Sequence, residues 1–183
     1  YFGFHDYATT GCVCKYLQAH WQKANEQSPL PLYVPEDYQT LQEAVKRVSR
    51  DPRITTIVLG KGEHVVEGLK DEWGRDRNSL KISSAMRIVG RPDVPKEKIV
   101  VVGGIYFKKG IQGNCHLQHL TLRIAKESGV RGYSSFTMED VVVEQCGQHG
   151  VFAYGTGVVG RCTNVGVRKC GGSGVGASGG ASI

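Results

Sequence analysis

Asp140, directly after Glu139, is the one aspartate in the regularly repeating part of this chain of 183 residues. Acid/base hydrolysis or lyase chemistry on a polymer needs several clustered carboxylates, one exchanging a proton and others holding a cation or activating water. One Asp–Glu dipeptide falls short of that. Asp71, Glu72 and Asp76 add acids, but in a charged stretch where nothing fixes their geometry. His149, in Gln148-His149-Gly150, is the nearest candidate base, yet Ser128 and Ser173 fill its position in neighbouring repeats, so it reads as a turn residue. No catalytic residue is therefore assigned. His116 and His119 share one strand region with no acid at ligand spacing, and none of the six cysteines forms C-x-x-C, so no metal is expected. Gly103-Gly104 and Gly171-Gly172 lack the following Gly-Lys-Ser/Thr and helix of a phosphate loop, and no cofactor is expected.

The charge balance narrows the partners. Net charge is +6, but the basic residues occur singly and in pairs, as a solvated surface would carry them. The tyrosines, including Tyr106, Tyr133 and Tyr154, are dispersed along the chain, which argues against a stacking platform for single-stranded nucleic acid. Nucleic acid is therefore not an expected partner. No run approaches the roughly 18 apolar residues of a membrane span, and no secretory signal opens the chain. The expectation is a soluble intracellular protein with free thiols, cytoplasmic or in an organelle after loss of a transit peptide. Residue 1 is Tyr, which predicts a processed or incomplete start.

The elements that would position these residues come from an internal repeat. Segments 120–130, 141–151 and 165–175 align without gaps, at offsets of 21 and 24 residues. Each has apolar residues at its first and third positions, a polar stretch, then Ser/His-Gly-Val. Alternation with period two predicts short strands with one face inward, and Gly before the second apolar position predicts a sharp bend. A unit of this length is one coil of a right-handed parallel β-helix. Stacking coils about 4.8 Å apart aligns Leu117, Met138 and Cys162 in one inward ladder and Ala125, Cys146 and Cys170 in another column. Arg123, Glu144 and Arg168 form an alternating-charge column, mildly stabilising across strands. Earlier strands are expected at 55–59, 64–66, 86–89, 98–102 and 105–107, with loops at 68–79 and 91–96.

Solenoids need capped ends. Thr40-Leu-Gln-Glu43 is a capping box, and Leu41, Ala44, Val45 and Val48 make one apolar helix face ended by Asp51-Pro52, so a cap helix is predicted over about 40–50. Ser182-Ile183 aligns with the start of a further coil. The chain is thus expected to continue, or a partner to cover this edge.

Two resemblances bear on function. Val34-Pro-Glu-Asp-Tyr-Gln-Thr-Leu-Gln-Glu-Ala-Val45, then Ile57-Val-Leu59 and Gly62-Glu-His64, resembles the opening of pectin-lyase-like β-helix proteins. This implies the fold over residues 31–183 but no single activity, since that superfamily holds lyases, hydrolases, esterases and non-catalytic modules. Asp6-Tyr-Ala-Thr-Thr-Gly-Cys-Val-Cys-Lys15 with Leu17 and Trp21 resembles the second half of an F-box. Cys14, Leu17, Trp21 and Ala24 then share one helix face, within a helical segment over 1–30. The likeness implies a β-helical recognition protein that binds a ubiquitin-ligase adaptor. The "L-P-x-E" half of an F-box is missing before Tyr1.

The expected architecture is all-β, a right-handed parallel β-helix behind an N-terminal α-helical segment and a cap helix. The expected function is a non-catalytic protein-interaction module of F-box-like recognition type. The alternatives are an accessory or scaffold subunit of a large assembly, and a truncated pectate-lyase- or pectin-esterase-like enzyme. The expected partner-binding residues are Cys14, Leu17 and Trp21 on the helix, and Arg123, Arg131, Glu144, Tyr154, Arg161 and Arg168 on the solenoid.

Overall fold

A computed structural model describes residues 30–70, 74 and 76–183. Cys14, Leu17 and Trp21, with most of the F-box-like segment, lie outside the described residues. In chain order the elements are β1 (Pro31–Val34), α1 (Leu41–Val48), β2 (Thr56–Leu59), β3 (Gly62–Val65), β4 (Leu69–Lys70), β5 (Asp76–Arg77), β6 (Ser79–Ile82), β7 (Arg87–Gly90), β8 (Ile99–Val102), β9 (Gly104–Phe107), β10 (Cys115–Arg123), β11 (Val130–Gly132), β12 (Phe136–Glu144), β13 (Val151–Tyr154), β14 (Gly160–Thr163), β15 (Gly166–Arg168) and β16 (Val175–Ser178). A 3₁₀ turn at Lys96–Lys98 precedes β8.

The strands stack in parallel as a β-solenoid of about six coils. Each full coil gives one short strand to each of three faces. Face A stacks β1, β2, β7, the first half of β10, the first half of β12, and β14. Face B stacks β3, β8, the second halves of β10 and β12, and β15. Face C stacks β6, β9, β11, β13 and β16. The register is that of the sequence repeat: Leu120 pairs with Val141, and Val130, Val151 and Val175 align in one column.

The inward columns explain why the short strands hold. Ile57, Ile88, Leu117 and Met138 form a buried apolar ladder behind face A. Cys162 continues it in the last coil but is exposed. Phe107 and Phe136 stack at 5.6 Å inside the coil. A Cβ on Gly132 would lie 2.4 Å from the Phe136 ring, so the missing side chain is what admits the aromatic. Burying such side chains contributes roughly 1.5–3 kcal/mol each.

The cap helix forms as predicted. Glu43 N–H donates to Thr40 Oγ1 and Thr40 N–H to Glu43 Oε2, both at 3.3 Å. Leu41, Ala44, Val45 and Val48 are buried, and α1 packs on β1 and β2. Just beyond it, the Arg53 guanidinium holds the Asp51 carboxyl down at about 2.

Four strands depart from the sequence expectation. β1 opens on a proline, tolerated at the first residue of an edge strand. β4 and β5 make a two-stranded antiparallel ladder within the predicted 68–79 loop. β6, directly after it, buries Leu80 and Ile82 and completes face C of its coil. Among the described residues no helix is long and apolar enough to cross a membrane.

Candidate functional site

The corners between faces are made by left-handed residues in columns. Between faces A and B stand His119 (φ 53°), Asp140 (φ 53°) and Asn164 (φ 52°), one per coil. After face B stand Ile124, Gln145 and Lys169, at φ 55–57°. Asn and Asp tolerate this region, and a β-branched residue strains in it.

Because the A–B corner stacks, it gathers chemistry that is far apart in sequence. Asp140 accepts from His119 Nδ1–H at 2.7 Å, from Asn164 Nδ2 at 2.7 Å and from Lys96 Nζ. His119 Nε2–H donates to the Val94 carbonyl at 2.8 Å. The Thr121 hydroxyl donates to the Lys96 carbonyl at 3.0 Å. The loop 91–98 is thereby latched onto the solenoid corner. Burial acts to lower the His119 pKa, but the Asp140 carboxylate and the Val94 carbonyl outweigh it and hold it above the usual histidine value. Lys96 and then His119 hold Asp140 below the usual carboxylate value. Its two ring nitrogens face a carboxylate and a carbonyl, both acceptors, an environment that favours the imidazolium form of His119. Beside it runs a groove of about 440 Å³, lined among others by Arg87, Gln118, Glu139 and Asp140.

This arrangement is poorly suited to acid catalysis. A general acid needs a carboxyl with a raised pKa, and Asp140 is shifted the other way and engaged by three donors. Asp140 and His149 also stand apart. His149 precedes face C, stacks on Phe152 at 4.8 Å and accepts from Ser173 N–H at 3.1 Å.

Face C carries a different arrangement. Tyr106, Tyr133 and Tyr154, on successive coils, have ring centroids 5.4 and 5.5 Å apart. Lys81, Tyr106, Arg131 and Phe152 align in the adjacent outward column. Arg131 donates to Gln148 Oε1 at 2.9 Å, while its Nε is buried with no acceptor. The expectation that the tyrosines are dispersed is corrected here: Tyr133 and Tyr154 lie one coil of 21 residues apart, and Tyr106 lies one coil of 25 residues plus two from Tyr133, so its ring reaches across diagonally. The same arithmetic, applied to His119 and Asp140, was the available signal for the corner cluster.

The predicted site residues thus divide among the faces. Arg131 and Tyr154 share face C. Arg123, Glu144 and Arg168 align on face B. Arg168 Nε donates to Glu144 Oε2 at 2.8 Å, but Arg123 turns away to pair with Glu63, two coils back. Face B charges are therefore largely spent on each other. Arg161 stands exposed on face A, in the column of Arg87, His116 and Thr137.

The fold and this surface define a class, a mostly-β parallel solenoid with an aromatic face and a latched corner. No family model matches the chain, and no curated protein and no solved structure matches it.

Proposed function

We propose that this solenoid is a non-catalytic interaction module that offers face C to a protein partner. The observation that carries this reading is the Tyr106–Tyr133–Tyr154 ladder with Phe152 and Arg131 beside it. Tyrosine and arginine dominate the residues on which protein interfaces depend, because a Tyr ring buries apolar area while its hydroxyl stays bonded, and Arg presents several donors. The non-catalytic part rests on Asp140, whose three donors keep it an ionised structural anchor. In finer detail, the coils are taken to wind right-handed, the hand that parallel crossovers adopt. The pectin-lyase-like and F-box-like resemblances add a substrate-recognition role, with Cys14, Leu17 and Trp21 reaching a ubiquitin-ligase adaptor.

The test compares surface variants. Tyr133→Ala/Tyr154→Ala and Arg131→Ala are set against Arg123→Ala/Arg168→Ala on face B, each checked for native circular dichroism. Partners captured from the source extract at fixed stoichiometry are then quantified. The expected outcome is at least about a tenfold loss with the face C variants, since each interface anchor is worth 1–2 kcal/mol or more, and little change with face B. Partner loss confined to face B would refute the assignment. Turnover of a pectin-type polysaccharide that Asp140→Asn abolishes would refute the non-catalytic reading.

A further inference from the structure

The stacking that makes the faces also superposes two thiols. Cys146 and Cys170 follow the left-handed residues Gln145 and Lys169, at φ 57° and 55°. Their strands are in register up to Glu144 opposite Arg168. The ladder continues past them, with Gln145 N–H donating to Arg168 O at 3.2 Å and Gly171 N–H to Cys146 O at 2.8 Å. Cys146 and Cys170 are therefore direct neighbours on adjacent coils, with Cα atoms about 4.8 Å apart. That lies within the roughly 4.4–6.8 Å that a disulfide spans. The side chains also point alike, each Sγ donating to the carbonyl two residues earlier, Glu144 O and Arg168 O, at 3.6 Å. In the coil below, the same position holds Ala125, so the thiol pair exists only between the last two full coils.

We propose that Cys146 and Cys170 are an oxidisable dithiol whose disulfide ties the coil of β14, β15 and β16 to the coil beneath it. Nothing in the interaction surface on face C requires this, and the pair stands on geometry of its own.

The two thiols differ in role. Cys146 is buried, and burial, then the neighbouring Cys170, pushes its thiol up to about 12. Cys170 is half-buried and reachable from solvent. With a small-molecule disulfide of the glutathione type as oxidant, the Cys170 thiolate attacks one sulfur and displaces the first thiolate, giving a mixed disulfide. Cys146 then loses its proton to solvent and attacks the Cys170 sulfur, displacing the second thiolate. The net change oxidises two protein thiols by two electrons and reduces the small disulfide to two thiols, which take up the released protons. The second step is the slow one, because Cys146 is seldom a thiolate.

The experiment treats the full chain with glutathione disulfide at pH 8, blocks free thiols and digests with trypsin. Arg131, Arg161, Arg168 and Lys169 separate the cysteines onto distinct peptides, with Cys146 in 132–161, Cys162 in 162–168 and Cys170 at the start of the next. The expected product links the Cys146 and Cys170 peptides, shows the loss of two hydrogens in intact mass, and reverts with dithiothreitol. Amide exchange in β15 and β16 slows in the oxidised form. Cys146→Ala installs the residue already present one coil below, and should leave Cys170 as a stable mixed disulfide with glutathione. Linkage of Cys170 to Cys162, or glutathione held separately on Cys146 and Cys170 in the native sequence, would overturn the proposal. So would Cys146 and Cys170 staying free while Cys162 reacts.

Discussion

Asp140→Asn tests whether the A–B corner is an electrostatic latch. The substitution keeps the shape and tolerates φ 53°, as Asn164 does one coil further on. What it removes is the charge that Lys96 and His119 share. Hydrogen bonds to charged groups contribute roughly 1.5–3 kcal/mol when buried. The three side chains here are 19–29% exposed, so solvent screening brings each pair to about 1 kcal/mol. His119 has a raised pKa in the folded state, so its contribution is full below the unfolded value near 6.5 and disappears as pH rises through the folded one. Asp140 has a lowered pKa, so its contribution is full above about 3.9 and disappears as pH falls through the folded value. Both are present only between those limits. Urea unfolding of native and variant protein should therefore differ by about 2 kcal/mol at pH 5.5, and by less at pH 8.5, falling toward about 1 kcal/mol as the His119 contribution is lost. In thermal melts this is roughly 4–8 °C against 2–4 °C for a domain of this size. A loss equal at the two pH values would remove His119 from the latch, and a loss below about 0.5 kcal/mol at pH 5.5 would mean that Asp140 acts only as a turn residue.

Ile124→Asn should stabilise the protein by about 1 kcal/mol. Ile124 is half-exposed at φ 56°, where a β-branched side chain strains and Asn does not, and thermal melts would register the gain. Phe136→Ala should cost about 3–5 kcal/mol in urea unfolding, because it empties the centre of the coil against Phe107 and Gly132. Gly90→Ala should fold poorly or lose roughly 1–3 kcal/mol in the same assay, since its Cβ would sit 1.9 Å from the His119 carbonyl oxygen, a backbone atom unable to move aside.

Repetition made the fold legible. Residues 120–130, 141–151 and 165–175 repeat closely enough that the sequence alignment is also the strand register. The Thr40–Glu43 capping box and the apolar spacing of Leu41, Ala44, Val45 and Val48 marked the cap helix in the same local way. Where the period breaks, local signals thinned: β6 hides behind a charged insertion, and β1 is four residues opening on a proline. The charge column was half legible. Register dictated that Glu144 meets Arg168, but nothing local told Arg123 to prefer Glu63.

The site was less legible than the fold, for one physical reason. In a solenoid, function-bearing contacts run along the axis, between residues a full coil apart in sequence, and their side chains choose among several neighbours once the coils stack. Composition and period-two alternation determined that strands form, which side of each is buried, and that coils stack in register. The repeat already placed Cys146 and Cys170 in one column; only the wound structure decided that Tyr106, Tyr133 and Tyr154 meet and that Asp140 is shared by Lys96, His119 and Asn164. Those outcomes depend on which residue one turn away arrives at the same height, a matter of coil lengths summed over the chain rather than of any local preference.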